Sequence, residues 1–197
     1  MNLNYKVVCD LIEKNSKVLD LGCSDGKLLE ILKNEKNVKG LGVEIEQDRV
    51  LEALQKGLSV VQGDLDKGLG EFQDNTYDYA ILNQTLQSTK YPEMIVYEML
   101  RVAKKCIVSF PNFAYWRVRF YLFFKGKMPK SKQLPYEWYD TPNIHLLTIC
   151  DFFEFCKKRN IKIEKSVYLT REKSRSGFLI KHIANFFSQE VVFVITK

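Results

Sequence analysis

Apolar residues along this chain fall into two alternating kinds of run. Lys17–Leu21 (KVLDL) is short and almost continuously apolar, as a strand covered on both faces must be, and it ends at glycines. Lys27–Asn34 (KLLEILKN) then sets Leu28, Leu29, Ile31 and Leu32 at helical spacing. The alternation repeats: Lys39–Val43 reads as a strand, Asp48–Lys56 as a helix, Leu58–Gln62 as a strand, a short helical turn surrounds Asp66, and Tyr77–Leu82 reads as a strand. Pro92 opens a helix that runs through Met94–Val102, and the strand Cys106–Phe110 completes the series. Strands separated by helices predict a parallel sheet.

The rhythm breaks between residues 110 and 148, where eight aromatics crowd positions 110–124 and a stretch punctuated by Lys and Pro follows. It reads as an insertion. Beyond it, Asp151–Arg159 is a helix capped near Thr148, Ile161–Leu169 a strand, Leu179–Phe187 a short helix, and Val191–Thr196 a β-branched terminal strand that can enter antiparallel. The expected architecture is α/β: one domain over residues 1–197, with a mostly parallel seven-stranded sheet and helices on both faces.

Composition narrows the function. With 46% hydrophobic and 27% charged residues among 197, disorder and fibrous folds are excluded. The five cysteines show no C-x-x-C spacing, which argues against a zinc site or a disulfide framework and fits a reducing cytoplasm; no metal is expected. No run approaches the roughly 18 apolar residues of a membrane span, and Asp10 and Glu13 interrupt the one stretch that could serve as a signal sequence. Net charge is +6, divided unevenly: residues 1–100 hold 11 basic and 17 acidic residues, and the remainder 19 and 7. Residues 101–136 carry nine Lys or Arg and no acid, so an anionic partner would meet this half unless the run is simply a solvated face.

The segment VLDLGCSDG, Val18–Gly26, joins an apolar strand, an acid and a tight turn opening a helix, the place where open parallel sheets bind ligands. A dinucleotide fingerprint from Gly22 needs glycines where Ser24 and Lys27 stand, and a P-loop needs Ser or Thr where Leu28 stands. The segment instead resembles the first motif of class I S-adenosylmethionine-dependent methyltransferases, with Ser24 replacing the middle glycine. That resemblance implies a Rossmann-like fold and a set of cofactor-binding residues. Asp20 would orient the cofactor's amino group, and Gly22, Ser24 and Gly26 would pass the methionine moiety over bare backbone. Glu44, 22 residues past Gly22, would hold both ribose hydroxyls; Asp64 and Leu65 would meet the adenine; Asn83 and Gln84 would flank the methyl donor.

The strings VQGDLDKGL, NQTLQST, MLRVAKKCIVSFPNFAYWRVR, MPKSKQLPYEWYDTPNIHLLTICDF and QEVVFV carry a closer resemblance, over nearly the whole chain, to the methionine biosynthesis protein MetW family. It implies S-adenosylmethionine or S-adenosylhomocysteine as ligand and homoserine O-acetyltransferase as partner, the chain acting as accessory or activator. The alternative is an active methyltransferase on a small anionic substrate drawn to the basic half. No N-P-P-Y or D-P-P-Y follows the fourth strand, so no catalytic residue is assigned. Tyr136, Tyr139, Asp140 and His145 are the substrate-side candidates.

Read as one helix, Phe113–Lys125 is apolar on two sides, with Phe113, Trp116, Phe120, Phe123 and Phe124 on one and Tyr115, Val118 and Leu122 on the other. It is either a buried cover helix or a protein-binding surface, with Trp116, Arg117, Arg119 and Phe120 as its contacts. Basic residues interleaved with aromatics also raise nucleic-acid binding, which the family resemblance makes an unlikely partner.

Overall fold

Every short apolar run becomes a strand of one sheet in the computed structural model, which describes residues 2–131, 134–170, 174–176 and 181–197. Its strands are β1 (Lys17–Leu21), β2 (Lys39–Glu44), β3 (Val60–Gln62), β4 (Tyr77–Asn83), β5 (Ala103–Pro111), β6 (Lys162–Leu169), β7 (Ser174–Ser176) and β8 (Glu190–Thr196), ordered β3-β2-β1-β4-β5-β8-β6-β7. β1 to β5 pair in parallel, and β8 runs antiparallel between β5 and β6. The seven expected strands are present; the three-residue β7 adds an eighth at the edge, too short and polar to announce itself in sequence.

Burial on both faces explains why these strands lack polar alternation. Side chains of even and odd positions enter different cores: Leu19, Leu21, Ala80, Leu82, Val108, Phe110 and Phe193 pack on one face, and Val18, Tyr79, Ile81, Ile107, Val192 and Val194 on the other. Helices α4 (Pro92–Val102) and α6 (Ile149–Lys158) cover the first face, where Phe152 stacks on Phe193 with ring centroids 4.8 Å apart. The second face is covered by α2 (Lys27–Lys36) and α1 (Leu3–Leu11). α3 (Gln47–Gln55) packs with α2 and β3 around Ala53 and Leu58. α1 has no counterpart among the elements expected from the sequence.

The insertion is tied down where it leaves and rejoins the sheet. Asn112, 2% exposed, donates from Nδ2 to the carbonyls of Asn185 and Ser188 at 2.8 and 2.9 Å, while its Oδ1 accepts from the Ala114 and Ile149 N–H groups. One side chain thus joins the end of β5, the start of α6 and the end of α7 (Lys181–Phe187). Thr148 forms a capping box with Asp151, fixing the α6 start that the sequence placed beside it. Positions 179 and 180 of the expected α7 lie outside the described residues.

α5 (Trp116–Lys125) is not a buried cover helix. Val118 is its buried residue, whereas Phe123 and Phe124 are 80% and 70% exposed and Leu122, expected on the Val118 face, is also exposed. Trp116, Phe120 and Phe124 form a ladder of rings along the helix, with centroids 6.2 and 5.9 Å apart, and Phe120 meets Phe186 of α7 edge-on.

Candidate functional site

At the carboxyl end of β1 the chain must turn sharply between a buried strand and α2. Gly22 and Gly26 take φ of +73° and +75°, and Ser24 between them also adopts a left-handed conformation, with φ +50°. A Cβ on Gly22 would stand 2.7 Å from Thr85 Cγ2, and one on Gly26 would overlap Leu58 Cδ1, so neither glycine can be replaced without displacing a neighbour. The turn is held from β2: the Gly22 and Cys23 N–H groups donate to the Val43 carbonyl, and Ser24 N–H donates to Glu44 Oε2 at 2.7 Å.

This turn forms one wall of a cleft of about 370 Å³ whose lining also includes Asp20, Asn83, Gln84, Gln87, Tyr136, Asn143, Glu190 and, from α1, Asn4 and Tyr5. Asp20, 2% exposed, has its carboxyl lifted to about 7, first by desolvation and then by the nearby charge of Glu44. Asn83 and Gln84 meet Ser109 of β5: Ser109 Oγ donates to Asn83 Oδ1 and accepts from Gln84 N–H. Cys23 also lines the cleft, but burial pushes its thiol to about 12, which removes it as a nucleophile.

Asp64 and Leu65 line a second cavity of about 390 Å³ with Val43, Gly63 and Phe72, so the expected residues do not share one pocket, and Gly26 and Glu44 line neither of the two. Glu44 is bonded to a residue of each lining: its carbonyl accepts from Gly63 N–H, and its carboxylate is joined to the glycine turn at Ser24. The same carboxylate accepts from Ile45 and Glu46 N–H at 2.8 and 3.0 Å, both on Oε1. Three of its roughly four acceptor sites are taken. One site remains, on Oε2.

Of the substrate-side candidates, Tyr136 lines the cleft. Tyr139 is 70% exposed, and Asp140 closes a local turn by accepting from Glu137 N–H. His145 lies in a separate apolar cavity between α4 and α6, because its backbone N–H, with that of Ile144, is anchored on the Gln87 carbonyl. Asn4, Tyr5, Gln87 and Glu190 reach the cleft and were not singled out as site residues. Gln87 and Glu190 fall within two of the quoted strings, NQTLQST and QEVVFV, where nothing in their spacing assigns them a role.

Among the described residues, no basic side chain of the second half lines the cleft. Arg101 is paired with Glu98 and Asp74, Lys104 with Asp78, and Lys130 with Glu137, while Arg117 and Arg119 lie over the Trp116 and Phe186 rings. Among the described residues lining the cleft there is no Lys, Arg or His, so the anionic substrate expected from net charge finds no countercharge there. No group of three or more potential metal ligands occurs among the described residues. No helix among them is long and apolar enough to cross a membrane.

The strand order with a reversed β8, and a glycine turn at the carboxyl end of β1, define the fold of the class I S-adenosylmethionine-dependent methyltransferases. A Thermotoga maritima S-adenosylmethionine-dependent methyltransferase, described as a possible histamine N-methyltransferase, superposes with a TM-score of 0.71 at 18% identity over 99% of this chain and 88% of that one. The [4+2]-cyclase SpnF superposes at 0.68 with 14% identity, over 98% and 80%. The shared fold therefore does not fix the reaction. The family model for methionine biosynthesis protein MetW matches residues 2–195, and the chain belongs to that family. A bifunctional methionine biosynthesis protein MetXA/MetW from Rhodopirellula baltica is 34% identical over 177 residues, covering 85% of this chain. The chain spans 28% of that relative's length.

Proposed function

We propose that this chain, a MetW family member with a methyltransferase fold, binds S-adenosylmethionine or S-adenosylhomocysteine across the cleft and the second cavity and acts as an accessory partner of homoserine O-acetyltransferase. The observation that carries the ligand reading is the glycine turn locked to Glu44, which brings bare backbone, the Asp20 carboxyl and one remaining Glu44 acceptor site to the same strand ends. These residues fit the group. Asp20 would face the ammonium of the amino-acid moiety, Glu44 one ribose hydroxyl, and Asp64 and Leu65 the adenine. The ligand itself would supply a sulfonium-activated methyl group. Calorimetric titration with S-adenosylhomocysteine tests this: one site per chain is expected, and no heat at millimolar ligand would reject it.

The partner reading draws on the Rhodopirellula protein, whose description joins MetXA and MetW in one bifunctional chain, and on the exposed ring ladder of α5. Exposed aromatics with Arg117 and Arg119 beside them have the composition of a binding hot spot. A second reading, methyl transfer to a small molecule, is favoured by the cleft's extension beyond the glycine turn to the end of β4 and the start of β8, where Gln84, Tyr136 and Glu190 line it.

A further inference from the structure

At the opposite end of the sheet, where the strands begin, lies a cavity of about 520 Å³ that shares no lining residue with the cleft. The short β3 leaves it open: β3 pairs with Gly42–Glu44, so Lys39, Gly40 and Leu41 of β2 have no described strand beside them on that side. Leu29 of α2 closes over Gly40, where a Cβ would stand 2.7 Å from Leu29 Cδ2. Leu41 and Tyr77, both half-buried, give the cavity an apolar wall.

Three lysines line this cavity, and no Asp or Glu does. Lys17 and Lys39 are register partners at the starts of β1 and β2, so their side chains leave adjacent strands at the same level. Neighbouring strands lie about 4.8 Å apart, and like charges side by side at that spacing repel. Neither lysine forms an ion pair among the described residues; Asp78, which accepts from the Lys17 N–H, is paired with Lys104 instead. The third, Lys33, donates from Nζ to the Gly57 carbonyl at 2.9 Å, which holds its charge at the cavity. Lys33 has a structural use in the last turn of α2, where a cation offsets the helix dipole. The Lys17 and Lys39 pair has no such use and is relieved only by an anion.

We infer that this cavity binds a small phosphate monoester with an apolar aryl or alkyl body, the phosphate bridging Lys17 and Lys39 and the body lying against Leu41 and Tyr77. A phosphate monoester carries roughly two negative charges at neutral pH and has oxygens for two ammonium groups at once, whereas a monocarboxylate carries one charge. It is a second ligand site, independent of whether the cleft takes S-adenosylmethionine.

The test uses the full chain and three probes, followed by protein-observed NMR at fixed pH and ionic strength. Phenyl phosphate has both parts of the ligand, glycerol 3-phosphate the charge without the apolar body, and phenol the ring without the charge. Phenyl phosphate is expected to bind with a millimolar or lower Kd, shifting the Gly40, Gly57 and Ser59 backbone amides, and the other two to bind at least about fivefold more weakly. The double variant Lys17→Gln/Lys39→Gln should weaken phenyl phosphate at least about tenfold and melt no lower than the parent, because it removes a like-charge pair. Each single variant should weaken it about threefold, which decides the matter if the double variant folds poorly, and Lys39→Arg should bind like the parent. Lys162→Gln, at the start of β6 and outside the cavity, controls for diffuse positive charge and should change nothing. The inference is overturned if phenyl phosphate fails to bind or shifts cleft amides instead. Equal binding of phenol or of glycerol 3-phosphate overturns it as well, as does binding that the single variants leave undiminished or that Lys162→Gln weakens equally.

Discussion

Asp20 is the residue whose burial has the clearest consequence. Its carboxyl ordinarily titrates near 4, and desolvation raises it to about 7 in the fold. Between these values the folded chain holds a proton that the unfolded chain has lost, so stability falls as pH rises from about 4 to 7 and levels off above. Asp20→Asn, which stays neutral, should therefore melt at a temperature less dependent on pH between 5 and 8, and at pH 8 should be more stable than the parent by about 1–4 kcal/mol. Thermal melts across this range check it; a variant with the parent's slope would place the titration elsewhere. Glu44 is a carboxylate held by three backbone N–H groups. Glu44→Ala should weaken S-adenosylhomocysteine by about 1.5–3 kcal/mol, and Glu44→Gln, which retains an acceptor oxygen, by less. Calorimetry on the two variants decides, and equal affinity of Glu44→Ala and the parent would remove Glu44 from the ribose. Ser24 already adopts the left-handed backbone that glycine favours, so Ser24→Gly should bind the ligand undiminished.

Elements divide into those that the core holds and those that it does not. Asn112 alone bridges β5, α6 and α7, and Asn112→Leu would strand two carbonyls and two N–H groups; a loss of about 2–4 kcal/mol by denaturant unfolding is expected, with the fold's middle strands unaffected. α5 should behave differently. Phe123 and Phe124 are exposed, so the double variant Phe123→Ser/Phe124→Ser should melt within about 1 kcal/mol of the parent. A large drop in melting temperature would mean that these rings are packed after all. Trp116 and Arg119 are poorer probes, because Trp116 is only half-exposed and Arg119 Nε also donates to the Ala114 carbonyl at 2.6 Å.

How much of this was legible before the coordinates differs by element. The strands other than β7, and α2, α3, α4 and α6, are visible in sequence because continuous apolar runs and helical spacing arise from burial itself. The glycine turn, Glu44, Asp64 and Asn83 were legible through one resemblance, and all lie at the strand ends where it places them. What stayed hidden depends on long-range packing. Asn4 reaches Glu190 across 186 residues, and the Gln87 carbonyl captures the 144–145 backbone, so neither the α1 wall of the cleft nor the displacement of His145 has a local signature. Charge misled for a related reason: Arg101, Lys104 and Lys130 are held in ion pairs and Arg117 lies over an aromatic face, all outside the cleft.

At the scale of the whole molecule, the fold separates two surfaces: the cleft at the strand ends and the ring ladder on α5, which is anchored through Val118 and Asn112 but otherwise turned outward. An accessory protein needs both, one to sense a ligand and one to contact a partner. The most direct test is the rate of homoserine O-acetyltransferase from the same source, measured alone, with this chain, and with the Phe123→Ser/Phe124→Ser variant, each with and without S-adenosylhomocysteine. The expected result is a higher rate with the parent chain, altered by the ligand, and no effect from a stably folded variant that still binds the ligand. An acetyltransferase rate that is the same in every arm would contradict the accessory role.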